Sequence, residues 1–155
     1  MQKQLNANVQ NGVGGWLVLL IITLIIIRPA TAWWTIYTDF NFFEANYPAL
    51  SRHVGWVKYK MSCWIIWVFS AACTIFGGYR LYKIHVRHSV VYAIISMWIA
   101  EPICIVLIGC TAIIAIGTNG PVLQELVIFF IKSIIFCSIW TAYLLRSKRA
   151  KNTYR

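Results

Sequence analysis

Acidic residues are scarce in this chain. Four Asp and Glu stand against 14 Lys and Arg, and charged residues of either sign make up only 12% of the sequence. A soluble domain carries about twice that charged share, so the composition excludes an ordinary soluble fold. Also missing are a CxxC pair, a glycine-rich phosphate loop, a Ser/His/Asp set near one boundary, and two carboxylates at one depth outside the apolar runs. Zinc sites, disulfide frameworks, nucleotide loops and hydrolytic centres need such groupings, so no enzyme, metal or cofactor is expected. The five cysteines, Cys63, Cys73, Cys104, Cys110 and Cys137, fall singly within apolar runs and read as small, soft hydrophobes. His85 and His88 have His-x-x-His spacing but lie beside Lys83 and Arg87 without a third ligand, which fits a solvated loop better than a metal site.

What is present is apolar surface: 60% of residues are hydrophobic and the mean hydropathy is +0.69. A membrane span needs about 20 mainly apolar residues, and four segments reach that length, 16–37, 63–82, 89–116 and 121–145. The expected fold is an all-α integral membrane protein with four transmembrane helices in one domain. The connections are a long segment 38–62, a basic one from Lys83 to His88, and Gly117 to Gly120, whose glycines suit a tight turn. Nine basic residues flank one side of the spans (Lys3, Arg80, Lys83, Arg87, Arg146, Lys148, Arg149, Lys151 and Arg155), while Arg52, Lys58 and Lys60 flank the other. That bias predicts both termini in the cytoplasm. Trp16, Trp33, Trp34, Tyr79 and Tyr143 lie near the span ends, as an aromatic belt requires.

The excess of +10 therefore points to anionic lipid headgroups as partner rather than to nucleic acid. Arg146, Lys148, Arg149 and Lys151 directly follow the last span and read as a lipid-facing topology anchor. At the other end, Ala30-Thr31-Ala32 after an apolar run imitates a signal cleavage site. Arg28, Pro29 and the long polar leader argue against cleavage, and span one is expected to be retained. Between spans one and two, Phe40, Phe43, Tyr47, Leu50, Val54, Val57 and Met61 recur at steps of three and four. That pattern predicts an amphipathic helix, or two broken before Pro48, lying on the membrane as a cap rather than as a ligand lid.

Charges inside the spans are the main anomaly. Glu125 falls in the first turns of span four, near the interface, where a carboxylate is favoured. Arg28, Glu101 and Lys132 are deeper, each about 18–20 Å from the cytoplasmic boundary at 1.5 Å per residue, near the middle of a core roughly 30 Å thick. An unpaired charge there costs several kcal/mol, so a cluster is predicted in which Glu101 accepts hydrogen bonds from Arg28, Lys132 or both. Pro29 and Pro102 follow two of these charges and predict helix kinks whose freed carbonyls are further acceptors. Two roles fit the cluster: a charge-paired clamp that fixes helix packing, or a proton or solute pathway with a polar pocket. The charge-proline pair at one offset in spans one and three also fits a two-residue trace of a parallel repeat.

The opening GVGGWLVLLIITLIIIRP, Gly12 to Pro29, and the closing IWTAYLLRSKRAKNTYR, Ile139 to Arg155, resemble the first and last motifs of the bacterial membrane family called domain of unknown function 2569. The resemblance covers the first and last spans and implies a small four-span protein of the bacterial inner membrane. It carries no catalytic residues onto this chain. Three roles stay open: a non-enzymatic accessory or binding subunit that serves another membrane protein, a small transporter or proton-pathway component using Glu101, and an immunity protein against a pore-forming toxin.

Overall fold

The structure is a computed structural model that describes residues 15–117, 120–147, 150, 153 and 154. It is an all-α membrane protein with four helices long and apolar enough to cross a bilayer. Helix α1, Trp16–Asn46, is helical to Ile22, π-helical over Thr23–Ile27 and α-helical again from Arg28. Helix α2 runs over Val54–Lys83. Helix α3 is composed of Arg87–Trp98, a π-helical turn Ile99–Ile103, and Cys104–Ile116. Helix α4 is Gly120–Arg146. We term the end of the bundle holding Trp16, Lys83, Arg87 and Arg146 proximal, and the end with the 3-10 turn Pro48–Arg52 distal.

Residues 38–46 of the segment 38–62 continue helix α1 rather than forming the separate element that the sequence suggests. No helix breaker occurs between Thr38 and Tyr47, so the three-and-four periodicity continues the helix of span one. The chain turns only at Tyr47, φ −133°, immediately before Pro48, where proline removes the helical option. Helix α1 is 31 residues long, about 46 Å at 1.5 Å per residue, longer than a perpendicular crossing of a core of roughly 30 Å requires. Of the stripe, Phe40 is buried against Trp56, whereas Val54, Val57 and Met61 are exposed. Glu44 ties this hairpin together, accepting from Lys60 Nζ at 2.8 and 3.0 Å and from Trp56 Nε1 at 3.1 Å.

The proximal half is the packed core. Leu17, Leu20 and Leu24 of α1, Leu81 of α2, Ala93 and Met97 of α3, and Cys137 and Leu144 of α4 are almost wholly buried and form one cluster. Helix α2 is central, packing on both α1 and α3, while α4 packs chiefly along α3. Only 11% of the most apolar window of α4 is buried, so most of its surface is left uncovered by the other helices. Close approach comes from small residues: a Cβ at Gly77 would overlap the Ser96 hydroxyl of α3, and one at Gly78 would meet Ile25 Cγ1 of α1 at 2.6 Å. Helix association in lipid relies on this kind of contact because apolar surface alone gives no drive there. Gly117 closes α3 in the left-handed region, φ 67°, where glycine is at no steric cost.

At the proximal end Tyr154 packs against the core cluster. Tyr154 is buried, stacks on His85 with ring centroids 5.9 Å apart, and donates its hydroxyl to the Leu81 carbonyl at 2.6 Å. Burial pushes its phenol up from the ordinary tyrosine range, which keeps it a donor at neutral pH. Of the basic tail, Arg146 is exposed at the end of α4; Lys148, Arg149 and Lys151 lie outside the described residues. Tyr154→Phe removes the donor while keeping the ring, and should lower stability by about 1 kcal/mol. Thermal melting in detergent reads this directly, and an unchanged melt would show that the tail does not hold α2.

Candidate functional site

At mid-depth the helix ladder changes register in both α1 and α3. The π-helical turn Thr23–Ile27 ends directly before Arg28-Pro29, and the turn Ile99–Ile103 contains Glu101-Pro102. The two-residue echo between spans one and three thus has a structural counterpart in two π-helical turns at one level. Such turns insert an extra residue per turn and concentrate where side chains must be re-aimed. Here they accompany prolines that lack the ladder N–H.

Arg28 and Glu101 meet across these turns. Arg28 Nε donates to Glu101 Oε1 at 2.5 Å, and the terminal guanidinium nitrogen donates to Glu101 Oε2, giving a two-point pair between α1 and α3. Their side chains retain 31% and 12% of their exposure, so the pair is partly shielded rather than bathed in water. The other side of the guanidinium rests on Phe136 of α4, 4.5 Å from the ring centroid. One acid is therefore held by one base with bidentate geometry, the strongest form such a contact takes.

Lys132 does not join them. It lies at the same level on α4 but is exposed, its ammonium 5.7 Å from the Phe129 ring centroid, and among the described residues it makes no ion pair. Equal depth along the chain is not equal azimuth around the bundle; the count of residues from the span ends contains the first and not the second. Pro29 and Pro102 are placed at the π-helical turns. Main-chain carbonyls at this level are met by neutral donors from neighbouring helices: Trp67 Nε1 on Pro29 O at 3.2 Å, Ser70 Oγ on Ala100 O at 2.9 Å, and Cys137 Sγ on Met97 O at 3.6 Å. Of these, the Met97 carbonyl lies five residues before Pro102, and its partner is the Cys137 thiol.

Above the pair, toward the distal end, the helices separate around a cavity of about 1020 Å³. All four helices contribute to its wall, and Arg28 and Glu101 form its floor. Aromatic and aliphatic groups, including Phe40, Trp56, Trp67 and Ile108, line its sides; Lys132 opens into it low on α4, and Asp39, His53 and Glu125 line it higher up. Sequence alone places Glu125 near the interface and offers no spacing that groups it with another acid. The fold supplies the grouping, because Asp39 and Glu125 belong to helices remote in sequence. Trp67, Ser70 and the Gly77-Gly78 crossing were likewise missed; two adjacent glycines within a span were the available signal.

Fold and site together define a polytopic helical membrane protein with an intramembrane ion pair under a distal cavity. The chain belongs to the family described as "Protein of unknown function (DUF2569)", which matches residues 10–155, nearly its whole length. Comparison with the curated proteins and with the solved structures finds no match.

Proposed function

We infer that this is a non-enzymatic binding protein of the bacterial inner membrane, with both termini in the cytoplasm and the distal cavity as its binding site. The cavity of about 1020 Å³ over a fixed ion-paired floor carries this reading. The lining is mainly apolar with a few charged groups at separated depths, Asp39 and Glu125 high and Arg28, Glu101 and Lys132 low, the pattern of a small-molecule site. A small amphipathic molecule therefore fits better than a helix of a partner protein. A proton or solute pathway through the bundle is less well supported, since the proximal half is filled by Leu17, Leu20, Leu24, Leu81 and Met97 and Glu101 is already bound by Arg28.

Native mass spectrometry of the detergent-purified protein titrated with single-chain dodecyl amphiphiles tests this reading. Saturable one-to-one binding is expected, and Ala71→Phe, which places a ring in the cavity, should weaken it at least about tenfold, the equivalent of 1.4 kcal/mol. Its melting temperature should not fall, because the ring enters empty space rather than a packed core. Equal binding by wild type and Ala71→Phe would refute the site.

A further inference from the structure

We propose that the cavity selects an elongated molecule with opposite charges at its ends, an anionic group held low at Lys132 and a cationic group held high between Asp39 and Glu125. This rests on the cavity reading above and adds the charge order of the ligand.

The first observation is Lys132 itself. It lies about halfway along α4, roughly 16 Å of helix from Pro121 at the distal end, and opens into the cavity. Arg28 and Glu101 satisfy each other, with Arg28 also stacked on Phe136. Of the Lys and Arg that line the cavity, Lys132 is thus the one left without a carboxylate among the described residues, its aromatic support there being Phe129 at 5.7 Å. A charge at this depth is costly unless paired or wetted. An anionic ligand group reaching the cavity floor would supply the missing partner.

The second observation is the opposite sign at the top. Asp39 on α1 and Glu125 on α4 line the same cavity, are exposed, and make no ion pair among the described residues. Glu125 lies seven residues before Lys132 on α4, about 10 Å of rise, and Asp39 lies about 16 Å above Arg28 by the same measure. Two acids above one unpaired base set a polarity along the cavity axis. An anion alone would pass the acids to reach Lys132, and a cation alone would leave Lys132 unpaired; a molecule bearing both matches each end. Ile36, Ile105 and Phe129 between the ends suit an apolar body. Cations also favour aromatic faces, so Phe40 and Trp56 support the upper group.

Three probes of one chain length separate the end groups: ω-aminododecanoate, whose extended length suits the separation of the charges, dodecanoate and dodecylamine. Binding to the detergent-solubilised full chain is measured by native mass spectrometry, with elution on size exclusion as the control for folding. The wild type should bind the ω-amino acid about tenfold tighter than either single-ended probe, as expected for one charge-assisted contact. Lys132→Met should bring the ω-amino acid to within about twofold of dodecylamine, and Asp39→Asn with Glu125→Gln to within about twofold of dodecanoate, the residue of a lost contact. Equal affinity of the three probes for wild type would overturn the charge order while leaving the cavity as a binding site. A preference that survives Lys132→Met would overturn it as well. Saturable binding of none of the three would remove the cavity reading and this inference together. Because the wild-type comparison is complete in itself, a variant that fails to fold does not shield the proposal.

Discussion

Glu101→Ala is expected to leave little folded protein. The substitution removes the carboxylate that binds Arg28 among the described residues and strands a guanidinium between α1 and α3 at mid-membrane depth. Breaking a fully buried pair by deleting one partner costs about 3–5 kcal/mol; with 31% and 12% of its side chains exposed this pair belongs at or below the lower end, still a large part of a stability of roughly 5–15 kcal/mol. Glu125→Ala, at an exposed carboxylate without an ion pair among the described residues, should change stability by less than about 0.5 kcal/mol. The informative control is the double substitution Arg28→Met with Glu101→Leu. Apolar replacement of both members of a buried pair is often neutral, so the double variant should recover most of the folded yield that Glu101→Ala loses. Size-exclusion profiles and thermal melts in detergent read all three variants. A Glu101→Ala protein that elutes and melts like wild type would mean that the pair does not hold the bundle.

Gly77→Leu should be nearly as damaging for a different reason. A Cβ at this position already overlaps the Ser96 hydroxyl and lies 3.2 Å from Ser96 Cβ and 3.4 Å from the Ala93 Cα of α3. The Ser96 hydroxyl is itself bonded to the Ala93 carbonyl at 2.9 Å, so the neighbour cannot swing away without losing a partner. Overpacking costs about 1–3 kcal/mol for small insertions and more for large ones, and here α2 and α3 must separate in the most tightly packed half of the molecule. Gly109→Ala is the matched control, since its nearest neighbour would be Leu126 Cδ1 at 3.6 Å, an ordinary contact. Cross-linking between cysteines placed on α2 and α3 around this crossing, compared in the two variants, would show the separation; unchanged cross-linking in Gly77→Leu would contradict the close crossing.

The four spans were legible because apolar length alone specifies them, and the charged trio was legible because intramembrane charge is rare. The sequence fell short where angle rather than depth matters. Counting from span ends put Arg28, Glu101 and Lys132 on one level, yet rotation about the helix axes decides which of them touch, and the π-helical turns at Thr23–Ile27 and Ile99–Ile103 shift that rotation by an amount no periodicity contains. The start of the segment 38–62 was misread for a related reason: a stripe of apolar residues marks a helix face and is silent on whether that helix is separate or continues the span before it. The cavity was invisible because its polar groups, Asp39, Glu101, Glu125 and Lys132, come from three helices and form no spacing along the chain.

Whether Glu101 is ionised and already satisfied decides between a fixed clamp beneath a binding cavity and a carboxyl free to carry protons. Infrared difference spectroscopy of wild type against Glu101→Gln, at neutral pH in a reconstituted bilayer, isolates this one side chain from the other acids. The expected result is loss of a carboxylate absorption on substitution, with no protonated carboxyl signal lost, because the guanidinium of Arg28 binds both oxygens of the anion. Loss of a protonated carboxyl signal instead would mean that Glu101 is neutral in the resting protein, and the clamp would have to be abandoned.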